Sequence, residues 1–284
     1  MWRFLRSDLR AFVAAAFLAA LVALMLLAPF ISTGHPDLQG PDAFAGIGQA
    51  GHLLGADDTG RDSWTRLLYG ARTSILASMT AVVTALVVGV PLGLAAGYFG
   101  RWVDAVLMRV VDTLLAFPSL VLAIGVGAAL GGGITKAMIA VGVVFSPIIA
   151  RITRGQVLSL RRRLFVEVAA TYGSSRLRIL LRHVLPNSLR PVVIQSALLF
   201  ATGILAEASL SFLGLGVRPP TASWGTMLRS SFDYLSSAPY AIYAPGIAIV
   251  LTVLAVNSLI DALADRWEGI AVTKRRRNRT MVGV

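Results

Sequence analysis

The sequence predicts an all-α protein that crosses a membrane six times, and three observations carry that reading. Hydrophobic residues make up 56% of the 284-residue chain and charged residues only 14%, where an ordinary soluble domain carries about 25% charged residues. Mean hydropathy is correspondingly high, at +0.74. Apolar runs long enough for the roughly 20 residues that a helix needs to cross a bilayer recur six times. The basic residues fall almost entirely between these runs and mostly on one side of them.

The first run, residues 11–31, follows Arg3, Arg6 and Arg10. A signal peptide would open the same way. The run is longer than the 7–15 apolar residues typical of such a peptide and lacks a small-x-small cleavage site, so a retained helix is expected. The second run, 73–99, carries Gly89, Gly93 and Gly97 on one face, a pattern for close helix packing. The third, 103–130, contains Arg109 and Asp112 at i, i+3, where they can pair and lower the cost of burial. In the fourth, 134–153, Lys136 and Arg151 flank the charge-free core and can snorkel to the interfaces. The fifth, 191–212, holds Glu207 about one turn inside its outer end, and the sixth spans 243–264. Pro91, Pro118 and Pro147 are expected to interrupt the second, third and fourth.

Orientation follows from lysine and arginine. With the N-terminus in the cytosol, 19 basic residues fall on the cytosolic side and six outside, Arg109 lying within the third span. Both termini are therefore expected inside. The net charge of +12 is explained by one membrane face, without nucleic acid. The chain divides into residues 1–72 (first span and outer loop), 73–268 (a five-span core containing a polar loop at 161–190) and a basic tail, 269–284. That tail, with Lys274, Arg275, Arg276, Arg277 and Arg279, suits an anionic surface.

Outside, the segment HLLGADDTGRDSWTRLLYGARTSI begins at His52 and clusters Asp57, Asp58 and Asp62. The alternating oxygen ligands and closing glutamate of a calcium loop are missing. A structural turn is expected, with Arg61 paired to a carboxylate and 65–71 helical at the outer surface. Inside, the 161–190 loop contains FVEVAATYGSSRLRILLRHVLPN from Phe165. A helix over 161–172 should end at Gly173, with Ser174 or Ser175 capping the next. The second helix places Leu177, Leu180, Leu181 and Val184 on one stripe, and Pro186 should stop it. Two short helices joined by a glycine bend form a knob suited to a partner's groove; the alternative is an amphipathic helix resting on lipid.

No catalytic constellation is present. Cysteine is absent, and His35, His52 and His183 have no metal-ligand spacing. No glycine-rich loop precedes Lys-Ser or Lys-Thr, so nucleotide binding of the P-loop kind is not expected. The resemblance set out next implies a translocation subunit that borrows its energy. A secondary transporter is the competing class, and the inverted repeat it would carry is not evident.

The polar loop resembles the coupling loop of ABC importer permeases, whose pattern is E-A-A, three residues, G, nine residues, I-x-L-P. Glu167, Ala169, Gly173, Leu185 and Pro186 fall on that register, with Val168 at the middle alanine and His183 at the isoleucine. Gly55, Asp57, Asp58, Gly60, Arg61 and Asp62 match the H-P-L-G-T-D-D-x-G-R-D segment of the C-type permease in dipeptide and oligopeptide importers, with departures at Leu53 and Ala56. FGRWVDAVLMRVVDTLLAFPSL from Phe99 and EASLSFLGLGVRPPTASWGTML from Glu207 resemble the same subunit. The resemblance implies the type I ABC importer permease fold in a bacterial inner membrane. Its implied cargo is di- or oligopeptide, with nickel complexes and glutathione as alternatives. Implied partners are a second, B-type permease, cytosolic ATPases that hold ATP and Mg, and an external solute-binding protein, besides the lipid bilayer. No cofactor or metal is expected on this chain. Coupling to the ATPase is implied for Glu167, Ala169, Gly173, Leu177, Leu181, Leu185 and Pro186. Glu207, Arg109 and Asp112 are candidates for the translocation path or for helix contacts. The glycine face of the second span and the polar residues of the fifth are candidate surfaces for the second permease.

Overall fold

The computed structural model describes residues 9–32, 34–129 and 133–281, with side chains throughout except those of 170 and 267–281. Arg3 and Arg6, the expected end of the third span at Leu130, and the tail side chains of Lys274 to Arg277 and Arg279 lie outside what is described. Among the described residues the only β pairing is an isolated bridge between Ala56 and Asp62. Everything else with regular structure is helical.

Helix α1 (Leu9–Ile31) is uninterrupted apolar sequence after Arg10. Helix α2 (Ser63–Phe99) starts where the Asp62 carboxylate accepts the Thr65 N–H at 2.8 Å. At 37 residues it is about 55 Å long, well beyond the hydrocarbon core. The expected separate segment 65–71 is thus the end of this same helix, since nothing between Trp64 and Thr73 stops it.

The third span is broken. Helix α3 (Arg101–Leu115) and helix α4 (Ser119–Ala129) meet at a 94° bend. Pro118 removes a helical donor and disfavours helical geometry at Phe117. Pro91 and Pro147, by contrast, lie inside unbroken helices, α2 and α5 (Ile134–Leu160). The Val143 carbonyl, which Pro147 leaves without its amide, accepts the Ser146 hydroxyl at 2.7 Å. Among the described residues five helices are long and apolar enough to span a membrane, and the bent pair, taken as one span, makes six.

Helix α6 (Leu164–Thr171) is followed by α7 (Arg176–Ile179), a π turn over Leu180–Val184, and α8 (Leu185–Phe212). Pro186 does not stop the second loop helix. It sits in the first turn of α8, where its missing N–H costs little. Immediately before it the chain makes a π turn, Leu185 N–H bonding five residues back to Leu180, and the Asn187 side chain donates to the His183 carbonyl at 2.6 Å. Helix α9 (Trp224–Asp233), a 3-10 turn (Pro239–Ile242) and α10 (Tyr243–Met281) complete the chain.

The most extensive helix pairing is the parallel contact of α2 with α5. A Cβ at Gly89 would lie 2.5 Å from the Ser146 carbonyl, one at Gly97 2.7 Å from Val157 Cβ, and one at Gly93 would collide with the Ala150 carbonyl. From the other side, Gly142 of α5 meets the Ala81 carbonyl and Thr84. Close packing of the glycine face is as expected, but its partner is α5 of the same chain. This face is therefore not open to a second permease. Around it lies the main core, including Ala81, Ala85, Val141, Phe145 and Ile149. Helix α8 packs on α2 and α5, and α10 on α1 and α8.

Candidate functional site

Helix α6 ends as its sequence dictates. Gly173 adopts φ +74°, and the Ser174 N–H returns to the Ala169 carbonyl at 3.1 Å, closing a Schellman-type turn. Ser175, not Ser174, caps α7 and accepts the Arg178 N–H at 3.4 Å. Glu167 sits in the first turn of α6, where the helix dipole favours a carboxylate. Its side chain is exposed and has no ion-pair partner among the described residues.

The expected leucine stripe splits into two faces. Val166, Ile179, Leu180 and Val184 are buried against Leu94 of α2 and Val157 of α5, with Ala169 and Leu185 partly buried beside them. This cluster seats the knob on the ends of two spans. Leu177 (65% exposed) and Leu181 (51%) point away from it. With Leu164, Phe165, Val168 and Tyr172, also exposed, they leave a large apolar surface at the tip of a basic loop, more than scattered surface leucines would give. Leu164, Phe165 and Val168 line an open cleft with Arg163, Ala169, Ser174 and His183. Pro186 is exposed at the base.

The expected pairing of Arg109 with Asp112 does not form. Asp112 bonds Arg151 of α5 at 2.5 Å, because that guanidinium reaches across the α3–α5 contact. One helical turn or two nearer the loop, Arg154 binds Asp104 through two parallel bonds of 2.5 and 2.6 Å. Arg161 donates to the Tyr98 carbonyl at 3.1 Å. Sequence reading missed these ties because their partners lie on different elements.

At the opposite end of the bundle, Glu207 is fully buried. Its Oε1 accepts the Ser211 hydroxyl at 2.7 Å, and that hydroxyl's oxygen accepts the Val217 N–H at 3.0 Å. The Ser74 and Ser223 hydroxyls also face the carboxyl group, although Oε2 lacks a hydrogen bond of good geometry among the described residues. Ser223 is the N-cap of α9 in a reciprocal capping box with Thr226, and Trp224 N–H donates to Ser74 at 3.1 Å. Glu207 thus lies where α2, α8 and the start of α9 converge.

The aspartate cluster forms a turn. Asp57 Oδ1 accepts from Thr59 N and Arg61 N, and Oδ2 takes Arg61 Nε at 2.7 Å. Asp62 caps α2 and contacts His52 at 2.9 Å. Gly60, at φ +73°, lies so close to Gly40 that no side chain fits. Arg66 is the residue that sequence reading passed over. It is 6% exposed, donates to the Pro36 and Pro220 carbonyls at 3.1 and 3.3 Å and faces Asp57. The signal was one arginine inside the apolar helical run Trp64 to Leu68.

The family model for binding-protein-dependent transport system inner membrane components matches residues 89–269, from the middle of α2 into α10. The chain belongs to that family. A dipeptide transport system permease protein of Alkalihalophilus pseudofirmus is 41% identical over 268 residues, covering 92% of this chain and 86% of its own length. A di/tripeptide transport system permease protein of Pseudomonas aeruginosa is 40% identical, covering 88% and 84%. A glutathione transport system permease protein of Escherichia coli is 40% identical, covering 93% and 88%. Among solved structures, a chain of the inward-facing MetNI methionine ABC transporter superposes with TM-score 0.53 at 16% identity, over 70% of this chain and 96% of its own, and shares the fold. As a family member, the chain is a multi-pass inner-membrane permease component of an ABC importer, a translocation subunit that works with another permease and with ATPase subunits.

Proposed function

We propose that this chain is the C-type permease of a di- or oligopeptide importer, and that the 161–190 loop transmits ATPase motion to the spans. The reading rests chiefly on the knob of α6 and α7. Its inner face is welded to α2 and α5, while Leu177, Leu181, Phe165 and Val168 are presented outward on a basic loop. A push on the knob would reach the two most closely packed helices in the molecule. Glu167, Ala169, Gly173, Leu185 and Pro186 give the loop its shape and foothold. The orientation has both termini and this loop in the cytosol, and an external binding protein delivers cargo to the other end. ATP and Mg belong to the ATPase subunits. Peptide is the favoured cargo because relatives named for dipeptides and di/tripeptides align over nearly the whole chain. The glutathione relatives fit the same chemistry, glutathione being itself a tripeptide.

Gly173→Val puts a β-branched residue at positive φ and should distort the knob. Glu167→Lys reverses the charge at the α6 N-terminus. In proteoliposomes, either variant should co-assemble with the ATPases yet lose stimulation of ATP hydrolysis by peptide-loaded binding protein. The expected loss is about 5- to 150-fold, the range spanned by typical coupling free energies. Wild-type stimulation in both variants would remove the loop from the coupling path.

A further inference from the structure

A second cleft flanks the knob and shares no residue with the apolar one. It is lined by Tyr98 and Phe99 at the end of α2, Arg101 at the start of α3, Arg161, and Val166, Arg176 and Ile179 of the knob. Three arginines therefore line one cleft, all with exposed side chains, and Arg161 also donates to the Tyr98 carbonyl at 3.1 Å. No carboxylate lies within ion-pair distance of any of the three among the described residues. The nearest candidate on α3, Asp104, is already held by both arms of Arg154. Three like charges lining one cleft with no carboxylate paired to them favour an anion there, and guanidinium forks match phosphate oxygens bidentately.

Two further features concern the anion. The α3 N-terminus opens on the cleft from Gly100 without a side-chain cap, which adds its positive pole. Arg101 itself is held at φ +49°, a costly backbone state for a non-glycine residue. The surroundings point to lipid. Phe99 (52% exposed) lines the cleft where α2 ends, and Trp102 (74% exposed) follows in the first turn of α3, as aromatic residues do at the membrane–water boundary. A phosphate at this level would keep its acyl chains beside the exposed aromatics.

We propose that Arg101, Arg161 and Arg176 bind the phosphate diester of an anionic lipid headgroup, pinning the knob and the α2–α3 turn to the bilayer surface. The site does not depend on the coupling assignment, but the ATPase arm of its test does rest on it. The assembled transporter, purified in mild detergent and delipidated, is offered equal amounts of phosphatidylglycerol and phosphatidylcholine, and the retained lipids are counted by native mass spectrometry. The wild type should retain one more phosphatidylglycerol per copy of this chain than the R101Q/R161Q/R176Q variant. Its affinity should be higher on the order of 100-fold, at roughly fivefold for each basic group. The triple lysine variant should keep most of the preference, which separates lost charge from misfolding.

Equal retention in wild type and glutamine variant would overturn the proposal. So would displacement of the lipid by millimolar inorganic phosphate, which would assign the cleft to a free anion. The permease pair without ATPases supplies the last comparison. Lipid bound to the pair but expelled when the ATPases join would assign the arginines to an acidic surface of the ATPase. Lipid retained in both states supports the site whether or not the knob proves to be the coupling element.

Discussion

Glu207 condenses the chemistry at the far end of the molecule into one side chain. A buried carboxylate with one oxygen bonded and the other poorly partnered is costly unless it neutralises or finds a donor. Its neighbours are the Ser211, Ser74 and Ser223 hydroxyls. Glu207→Gln keeps the acceptor for Ser211 and removes the charge, so thermal stability in detergent should be unchanged or higher. Glu207→Ala leaves a cavity and stranded hydroxyls, and should cost about 2–4 kcal/mol, read as a lower melting temperature by tryptophan fluorescence. An alanine variant that melts with the wild type but binds cargo more weakly would place Glu207 on the transport path instead. The sequence marked Glu207 as unusual because it is ionisable in an apolar run. Its partners were illegible, since Ser74 and Ser223 reach it only through the tertiary fold. Arg66 and Asp112 teach the same lesson: a charge's presence can be read locally, but its partner cannot. The Asp57–Arg61 turn was legible because both groups lie within five residues of each other.

Among the elements, α2 and α5 carry the tightest contact, through glycines spaced so that they share one face. Gly93→Val would drive its side chain into the Ala150 carbonyl and Thr153. Overpacking of this kind costs about 1–3 kcal/mol where the backbone can shift, and the folded yield on size-exclusion chromatography should fall. Gly125→Ala on α4, with open space around its Cβ position, should elute as wild type. Equal yields for the two variants would contradict the packing described. The glycine spacing and the span lengths could be read directly, because both follow from helical periodicity and bilayer thickness. The behaviour of the prolines could not. Pro147 is accommodated by the Ser146 hydroxyl, Pro186 by its place in the first turn of α8, whereas the chain turns through 94° at Pro118. The residue type is the same in each case, and the outcome depends on where in a helix the proline falls and what lies beside it.

For the whole molecule, the asymmetry of basic residues predicts the orientation, and the natural absence of cysteine makes it simple to test. Single cysteines at Gln49 and Ser237, both exposed, should react with an impermeant maleimide in intact cells. A cysteine at Ser175, also exposed, should react only after lysis. Labelling of Ser175 from outside would invert the topology and remove the loop from the ATPases. The central claim is that this chain conducts peptide only when ATPases drive it through the α6–α7 knob. Its most direct measurement is accumulation of a radiolabelled tripeptide in proteoliposomes holding this chain, its partner permease, the ATPases and loaded binding protein. Uptake should require ATP on the ATPase side, persist when ion gradients are collapsed, and vanish in Gly173→Val. Uptake by the permeases alone, driven by an ion gradient without ATPases, would contradict the account and make the protein a secondary transporter.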